Sequence, residues 1–413
     1  MRKREFLSIN ITSNESTVAD RSTSRIINQK ALVDAIYGSN GISKATLAAQ
    51  LNLSKPAVSR NVADLISMGL VEEKGEGKSS KNGGRKPIML YFNKFHRYIA
   101  TLVLSFEQPV CAIGDLNYNI LELKKTDVDR DASPEVKRDC IAQTLDDMLR
   151  ELSIPREKLG LIVISHPGLI DWDNEAYYAQ DIHLPWTGIS LKDYLRRHFE
   201  TPVFLENDMR LASIGEMNMG FDKQFQNLIY VSCGIGFGAS IIREGHPYVG
   251  CNRAAGEVGA FLMEDGRRVE DVVAMEGLLK RIGQVYAENG LEAKSLSFEQ
   301  VIALSLTGDV LVNRVLHEIG RILGKVIYNC SVMLDISTVI FGGDYTKLGP
   351  ALFEGINETV SQSFLPIKPN VIKSELRDEA GIYGGFVVGT NEILHRKLGE
   401  TVIPERKRDD VYE

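Results

Sequence analysis

Residues 51–92 read LNLSKPAVSRNVADLISMGLVEEKGEGKSSKNGGRKPIMLYF. Ser54 followed by Lys55-Pro56 is a helix start: a hydroxyl that can accept a first-turn N–H, then a proline whose missing N–H has no intrahelical partner to lose. Val58, Val62, Leu65 and Ile66 come next at helical spacing and predict a buried stripe. The opposite face carries Lys55, Pro56, Ser59, Arg60 and Asn61, short polar and cationic groups rather than the Glu/Lys pairs of a merely solvated helix. Upstream, Ile27, Ala31, Leu32, Ala35 and Ile36 predict a helix over 24–37, stopped by Gly38 and Asn40-Gly41. Ser43 then caps a short helix holding Leu47, Ala48 and Leu51. Two short helices joined by a tight turn, the second exposing such residues, match the helix-turn-helix that enters a DNA major groove. Any three-helix bundle would share the apolar pattern.

The segment after the third helix separates these readings. VEEKGEGKSSKNGGRKPIMLYF has two strand-like ends around a loop of Gly, Ser and Lys, in which Lys78, Lys81, Arg85 and Lys86 cluster with only Glu76 nearby. A cationic loop beside a recognition helix can reach phosphates or the minor groove; the alternative is an inert charged hairpin. The charge balance agrees with a nucleic-acid module. Residues 1–95 hold 15 Lys and Arg against 8 Asp and Glu, a balance of +7, so the net −7 of the chain leaves −14 for the remainder.

The chain has 413 residues, too many for one core, because cores stop growing near roughly 250–300 residues. With 44% hydrophobic and 25% charged residues it is neither disordered nor collagenous. No run approaches the roughly 18 apolar residues of a membrane helix, and MRKREFLSINITSNE turns polar before a signal peptide can form, so no membrane partner and a cytoplasmic location are expected. The five cysteines are scattered, without a Cys-x-x-Cys pair, and suggest neither disulfides nor a zinc ribbon.

From Tyr98 onward strands alternate with helices. YIATLVLS, VCAIGDL and ILELKK read as three strands, followed by an amphipathic helix near 133–152 and the buried run LGLIVIS. A comparable cycle restarts with TPVFLEN, LIYVSCG and GASIIR and runs to STVIFGG. Two such cycles predict α/β lobes with a ligand cleft between them.

Over nearly its whole length the chain resembles the ROK family (repressors, open reading frames and sugar kinases), in particular its winged-helix sugar repressors. LNLSKPAVSRNVADLISMGLV and GGRKP resemble the family's DNA-binding domain. The resemblance implies an α+β multidomain chain: an N-terminal extension (1–21), a winged helix-turn-helix (22–95), a first lobe of an actin-like, ribonuclease-H-like sugar-kinase fold (97–205 plus 378–398), a second lobe (206–377) and a tail (399–413). It also implies that the C-terminal helix packs back on the first lobe.

Candidate effector residues come from the same resemblance. ENDMRLASIGE (206–216) resembles the family's Glu-Asn-Asp signature at a strand-to-helix junction, which implies sugar hydroxyl contacts for Asn207 and Asp208; helix capping is the competing role. AAGEVGA resembles Gly-Glu-x-Gly-His, which implies a contact from Glu257, but Ala260 stands where the histidine would be. That histidine is also a zinc ligand in the family, and the cysteine-rich zinc loop is replaced by FLMEDGRRVEDVV, so no metal is expected. Glu270 stands where a later sugar-binding glutamate can fall. HPGLID resembles a Pro-Gly-x-Val-Asp turn that brings Gly168 to the sugar, and IHLPW places His183 where the family has asparagine; a packed surface histidine is the other reading of His183.

Enzymatic members of the family cradle ATP with Asp-x-Gly-x-Thr in the first hairpin. In this chain that hairpin reads LVLSFEQPVCAIGD and its tip lacks all three residues, so no cofactor and no catalytic residue is expected, although Asp208 matches the family's base. The glycines of SCGIGFG serve a tight turn as well as a phosphate loop. The expectation is a sugar-responsive repressor whose partners are double-stranded operator DNA, a sugar or sugar derivative, and a second copy of the chain, with a tetramer also open. A sugar kinase with an accessory DNA-binding domain is the alternative, and an architectural DNA-binding protein that has lost its ligand is a third reading.

Overall fold

The structure is a computed structural model that describes residues 21–76, 86–104, 108–129, 132–170, 176–177, 191–221, 224–291, 296–362 and 368–398. At the N-terminal end α1 (Arg21–Tyr37), β1 (Ile42–Ser43), α2 (Lys44–Gln50), α3 (Lys55–Ser67), β2 (Val71–Glu76) and β3 (Ile88–Phe92) form three helices against an antiparallel sheet of order β1-β3-β2. The Ser43 and Ser54 hydroxyls cap α2 and α3 by accepting the N–H groups of Thr46 and Ala57. Leu32, Ile36, Leu47, Val58, Val62, Leu65, Leu70 and Leu90 are fully buried between these elements. Each such side chain contributes on the order of 1.5–3 kcal/mol by leaving water.

Two positions depart from the helical pattern. Ile27 is 56% exposed, and the buried face of α1 instead carries Gln29, Leu32, Val33, Ile36 and Tyr37. Gln29 is tolerated inside because its Nε2 donates to Asp64 Oδ2 on α3 at 3.2 Å, the same carboxylate that pairs with Arg25 at 2.8 Å. Asn61, expected on the DNA-facing side of α3, is buried and its Nδ2 donates to Ala57 O at 2.9 Å, one turn back along the helix.

The remainder builds the same sheet twice. β4 (Tyr98–Val103), β5 (Val110–Asp115) and β6 (Ile120–Lys125) form an antiparallel meander; α4 (Pro134–Glu151) crosses to β7 (Leu159–His166), which lies parallel to β4. The short pair β8 (Leu169–Ile170) and β9 (Ala176–Tyr177) precedes α5 (Leu191–Phe199) and β10 (Val203–Asn207), which is parallel to β7. The sheet order is β10-β7-β4-β5-β6. After α6 (Asp208–Gly215) come β11 (Leu228–Cys233), β12 (Phe237–Arg243) and β13 (His246–Pro247), again an antiparallel meander. Helices α7 (Val269–Val273), α8 (Met275–Glu288), α9 (Phe298–Thr307) and α10 (Val310–Leu334) lead to β14 (Thr338–Gly342), and α11 (Pro350–Ser361) to β15 (Asn370–Lys373). β14 is parallel to β11 and β15 to β14, giving the order β13-β12-β11-β14-β15. This duplicated order is the two-lobed, ribonuclease-H-like architecture.

The chain closes with α12 (Ala380–Leu398), which packs with α6 between the two sheets, while α4 and α5 cover the outer face of the first sheet and α7–α11 that of the second. The two central helices approach backbone to backbone: a side chain on Gly384 would collide with the Leu211 carbonyl oxygen, so only glycine fits at that crossing.

The head is not hung on a loose linker. Tyr37 packs edge-on against Phe92 at 5.0 Å and lies 6.0 Å from the Tyr118 ring of the first lobe. Lys94 pairs with the fully buried Asp115 carboxylate at 3.1 Å, and Leu116 N–H donates to Lys94 O. His96 is wedged at the joint; its burial, and then Lys397, Arg97 and Lys158, lower its pKa to about 4. The head and the inner layer of the body share one hydrophobic cluster.

Candidate functional site

β7 and β10 run parallel with His166 in register with Asn207, so the Pro167-Gly168 turn and the start of α6 emerge side by side from the carboxyl ends of neighbouring strands. That is where α/β sheets open a ligand crevice. Gly168 has φ +149°, a conformation reserved for glycine, and Asn207 Nδ2 donates to its carbonyl at 3.0 Å. Asn207 is also the N-cap of α6, its Oδ1 accepting Arg210 N–H at 3.1 Å. One side chain therefore both caps α6 and holds the Gly168 turn.

Asp208, next along, has its pKa raised to about 7: burial raises it most, the Met209 N–H bond opposes this, Glu257 raises it further and Arg210 lowers it. Glu257 is likewise raised, by desolvation first and then by Glu270, with Arg210 opposing. Thus Asp208 and Arg210 from α6, Glu257 from the segment after β13, and Glu270 from α7 form one electrostatic group. Glu270 Oε1 accepts the Phe237 N–H at 3.2 Å, which ties it to the glycine-rich turn between β11 and β12.

Beneath this group is a charged lattice that the sequence did not lead one to expect. Arg210 Nε donates to Glu206 Oε1 at 2.6 Å, and Arg253 Nη2 reaches Glu206 Oε2 at 3.3 Å. Arg210 Nη1 also donates to Arg253 O at 3.0 Å, and Arg253 Nε to Ile170 O at 2.9 Å. The Glu206–Arg210 pair is visible as an i, i+4 spacing inside ENDMRLASIGE. Arg253 has no local signal, because its partners lie 47 and 83 residues away.

The glycine-rich turn offers little to phosphates. Gly234 N–H donates to Gly236 O at 3.0 Å, the Phe237 N–H is taken by Glu270, and Asp344 Oδ2 sits 2.8 Å from where a side chain on Gly234 would begin. Two carboxylates flank the donors that would have to receive an anion. The tip residues 105–107 of the first hairpin lie outside the described residues.

A zinc ion does not fit the residues after Glu257. Ala260 has no ligand atom, and residues 257–273 contain neither cysteine nor histidine. The segment is closed by hydrogen bonds instead: Val269 N–H to Phe261 O and Met263 N–H to Arg267 O, both at 2.8 Å, with Arg267–Asp265 and Arg268–Asp271 ion pairs at 2.6 Å.

On the head, Lys55, Pro56, Ser59 and Arg60 are exposed along one side of α3, and Lys86 is exposed before β3. Lys78, Lys81, Arg85 and His183 lie outside the described residues.

The family model described as ROK family matches residues 107–391, and that of the MarR family matches residues 24–85. The chain is 28% identical over 359 residues to the xylose repressor of Bacillus spizizenii, covering 84% of this chain and 90% of that protein. It is 25% identical over 390 residues to the N-acetylglucosamine repressor of Escherichia coli, covering 89% and 93%. Its fold matches the crystal structure of a ROK family transcriptional regulator, a homolog of the E. coli MLC protein, with a TM-score of 0.75 at 18% identity over 91% of this chain and 99% of that one. With its duplicated sheet, its Glu-Asn-Asp junction and a family match across more than half its length, the chain belongs to the ROK family.

Proposed function

We propose that this protein is a sugar-responsive transcriptional repressor of carbohydrate-utilisation genes. α3 reads operator DNA through Lys55, Pro56, Ser59 and Arg60, and the wing around Lys78, Lys81, Arg85 and Lys86 grips the backbone. Asn61 drops out of the reading surface because it is buried. A sugar enters between the lobes and meets Gly168, Asn207, Asp208, Glu257 and Glu270, with His183 a further contact. The observation that carries this reading is the joint: a winged helix shares a hydrophobic core with the inner layer of a two-lobed cleft, so a change in lobe closure is transmitted to the head without a flexible spacer. Two recognition helices must reach successive major grooves about 34 Å apart, so the working form is a homodimer or a tetramer.

The protein does not act as a kinase in this reading. Asp208 near pKa 7 would suit a base, but the carboxylates of Glu270 and Asp344 beside the glycine turn oppose a phosphoryl donor. The relatives named as repressors of xylose and of N-acetylglucosamine direct the choice of effectors. Fluorescence anisotropy with the DNA upstream of the protein's own gene, titrated with D-xylose, N-acetylglucosamine and their phosphates, tests the reading. Binding that one sugar changes at least tenfold, about 1.4 kcal/mol per site, supports it. Indifference to all DNA, together with ATP turnover in a coupled assay on the same sugars, overturns it.

A further inference from the structure

The segment between β13 and Glu257 does two things at once. It carries Glu257, and at its tip it turns Arg253 into the left-handed region at φ +56°, an unfavourable conformation for a side chain with a Cβ. That turn points the guanidinium out of the second lobe and into the first. There Nε donates to Ile170 O in β8, and Nη2 contacts Glu206 Oε2 at the end of β10. The Arg253 side chain is only 14% exposed and Glu206 11%, so the contact is largely withdrawn from solvent. The far end of the segment is anchored to its own lobe by Ala239 N–H donating to Gly256 O at 3.0 Å. Asn207 holds the same first-lobe turn from the other side, through Gly168 O.

We propose that Arg253 is a positioning residue of the effector cleft: it clasps the Gly168–Ile170 turn of one lobe to the Glu257-bearing segment of the other. Its role is to hold the span between the two halves of the cleft. An effector that bridges Asn207–Asp208 and Glu257 then meets both halves preorganised, and any change in that span moves the clasp. Arg253 and Glu257 sit four residues apart on one short segment, so drawing Glu257 toward a bound hydroxyl strains or releases the Arg253 bonds to the first lobe. The effector part of this inference rests on the function proposed above; the clasp itself does not.

The test uses the full-length protein and the variant R253N, since asparagine accepts the left-handed backbone but cannot reach Ile170 and Glu206 together. R267A, which removes an exposed arginine from the neighbouring hairpin, is the control. Hydrogen exchange without ligand is the first readout: R253N raises exchange of the 168–170 amides at least tenfold while α10 is unchanged. Unchanged exchange at 168–170, or a loss of protection shared equally by α10, overturns the clasp. If R253N fails to fold, R253K is used with the same criteria and an expected increase of at least threefold. The second readout is the ratio of D-xylose dissociation constants with and without operator DNA. The wild-type ratio departs from one at least tenfold and that of R253N falls within twofold of one. An R253N ratio equal to the wild-type ratio overturns the positioning role. A wild-type protein that binds no D-xylose counts against D-xylose as the effector of the proposed function and leaves the exchange result to decide the clasp.

Discussion

The exposed face of α3 proposed to read DNA and the floor of the proposed effector cleft are both polar, yet they are built on opposite principles. On α3, Lys55, Ser59 and Arg60 stand in solvent and, among the described residues, have no side-chain partner. In the cleft several polar groups are already engaged: Asn207 with Gly168 and Arg210, Glu270 with Phe237, Glu206 with Arg210 and Arg253. An exposed face binds by adding contacts, each nearly independent, and its strength varies with salt. An engaged cleft binds by exchanging internal bonds for ligand bonds, so its response is cooperative and spreads to whatever those bonds were holding.

The largest effect that separates the two regions is expected from Arg210→Met. It leaves Glu206 buried with one partner fewer, and thermal or denaturant unfolding should show a loss of about 3–5 kcal/mol, whereas Lys55→Met on α3 stays within about 0.5 kcal/mol. A comparable cost for both would dissolve the contrast.

Next comes Arg60→Ala. It should lower the preference for operator over random duplex by about 1–3 kcal/mol without changing the unfolding midpoint, measured by competition binding. A matching drop on random DNA would reassign Arg60 to the phosphates.

Two groups then predict opposite pH slopes. His96, at the joint, titrates near 4 in the folded chain against an ordinary 6.5, so its contribution is present above pH 6.5 and is lost as pH falls toward 4. Asp208 titrates near 7 against an ordinary 3.8; the native state then holds the extra proton, and stability falls as pH rises from about 4 to about 7. Relative to wild type, stability measured across pH 4–7 should tilt upward with pH in Asp208→Asn, which removes the falling component, and downward with pH in His96→Asn, which removes the rising one. Superimposable profiles for all three proteins would refute the assignment.

The smallest effect is expected from Arg85→Ala in the wing, which should weaken operator and random DNA alike and reduce the salt slope by roughly one unit.

Much of the head was legible because its determinants are local. Ser43 and Ser54 cap helices within three residues, and Val58, Val62 and Leu65 repeat at a spacing that only a helix buries on one side. The exposure of Ile27 and the misreading of Asn61 share a cause. Whether a helical position faces in or out by one notch depends on a neighbouring helix, here through the Gln29–Asp64 bond, and no local pattern reports that. In the cleft, Asn207 and Asp208 could be placed at a strand-to-helix junction from sequence, but the neighbours that raise the Asp208 pKa include Glu257, far along the chain.

By itself the amino-acid sequence determined the elements, the duplication of a strand meander followed by parallel strands, the winged head and the residues that begin α6, since hydrophobic period, caps and turn residues act over a few positions. Only the tertiary structure decided that the head and the body share one core, that carboxylates sit against the glycine turn, and that Arg253 crosses from one lobe to hold the other. Those outcomes depend on which distant surfaces exclude water together, and burial of that kind has no signature in neighbouring residues.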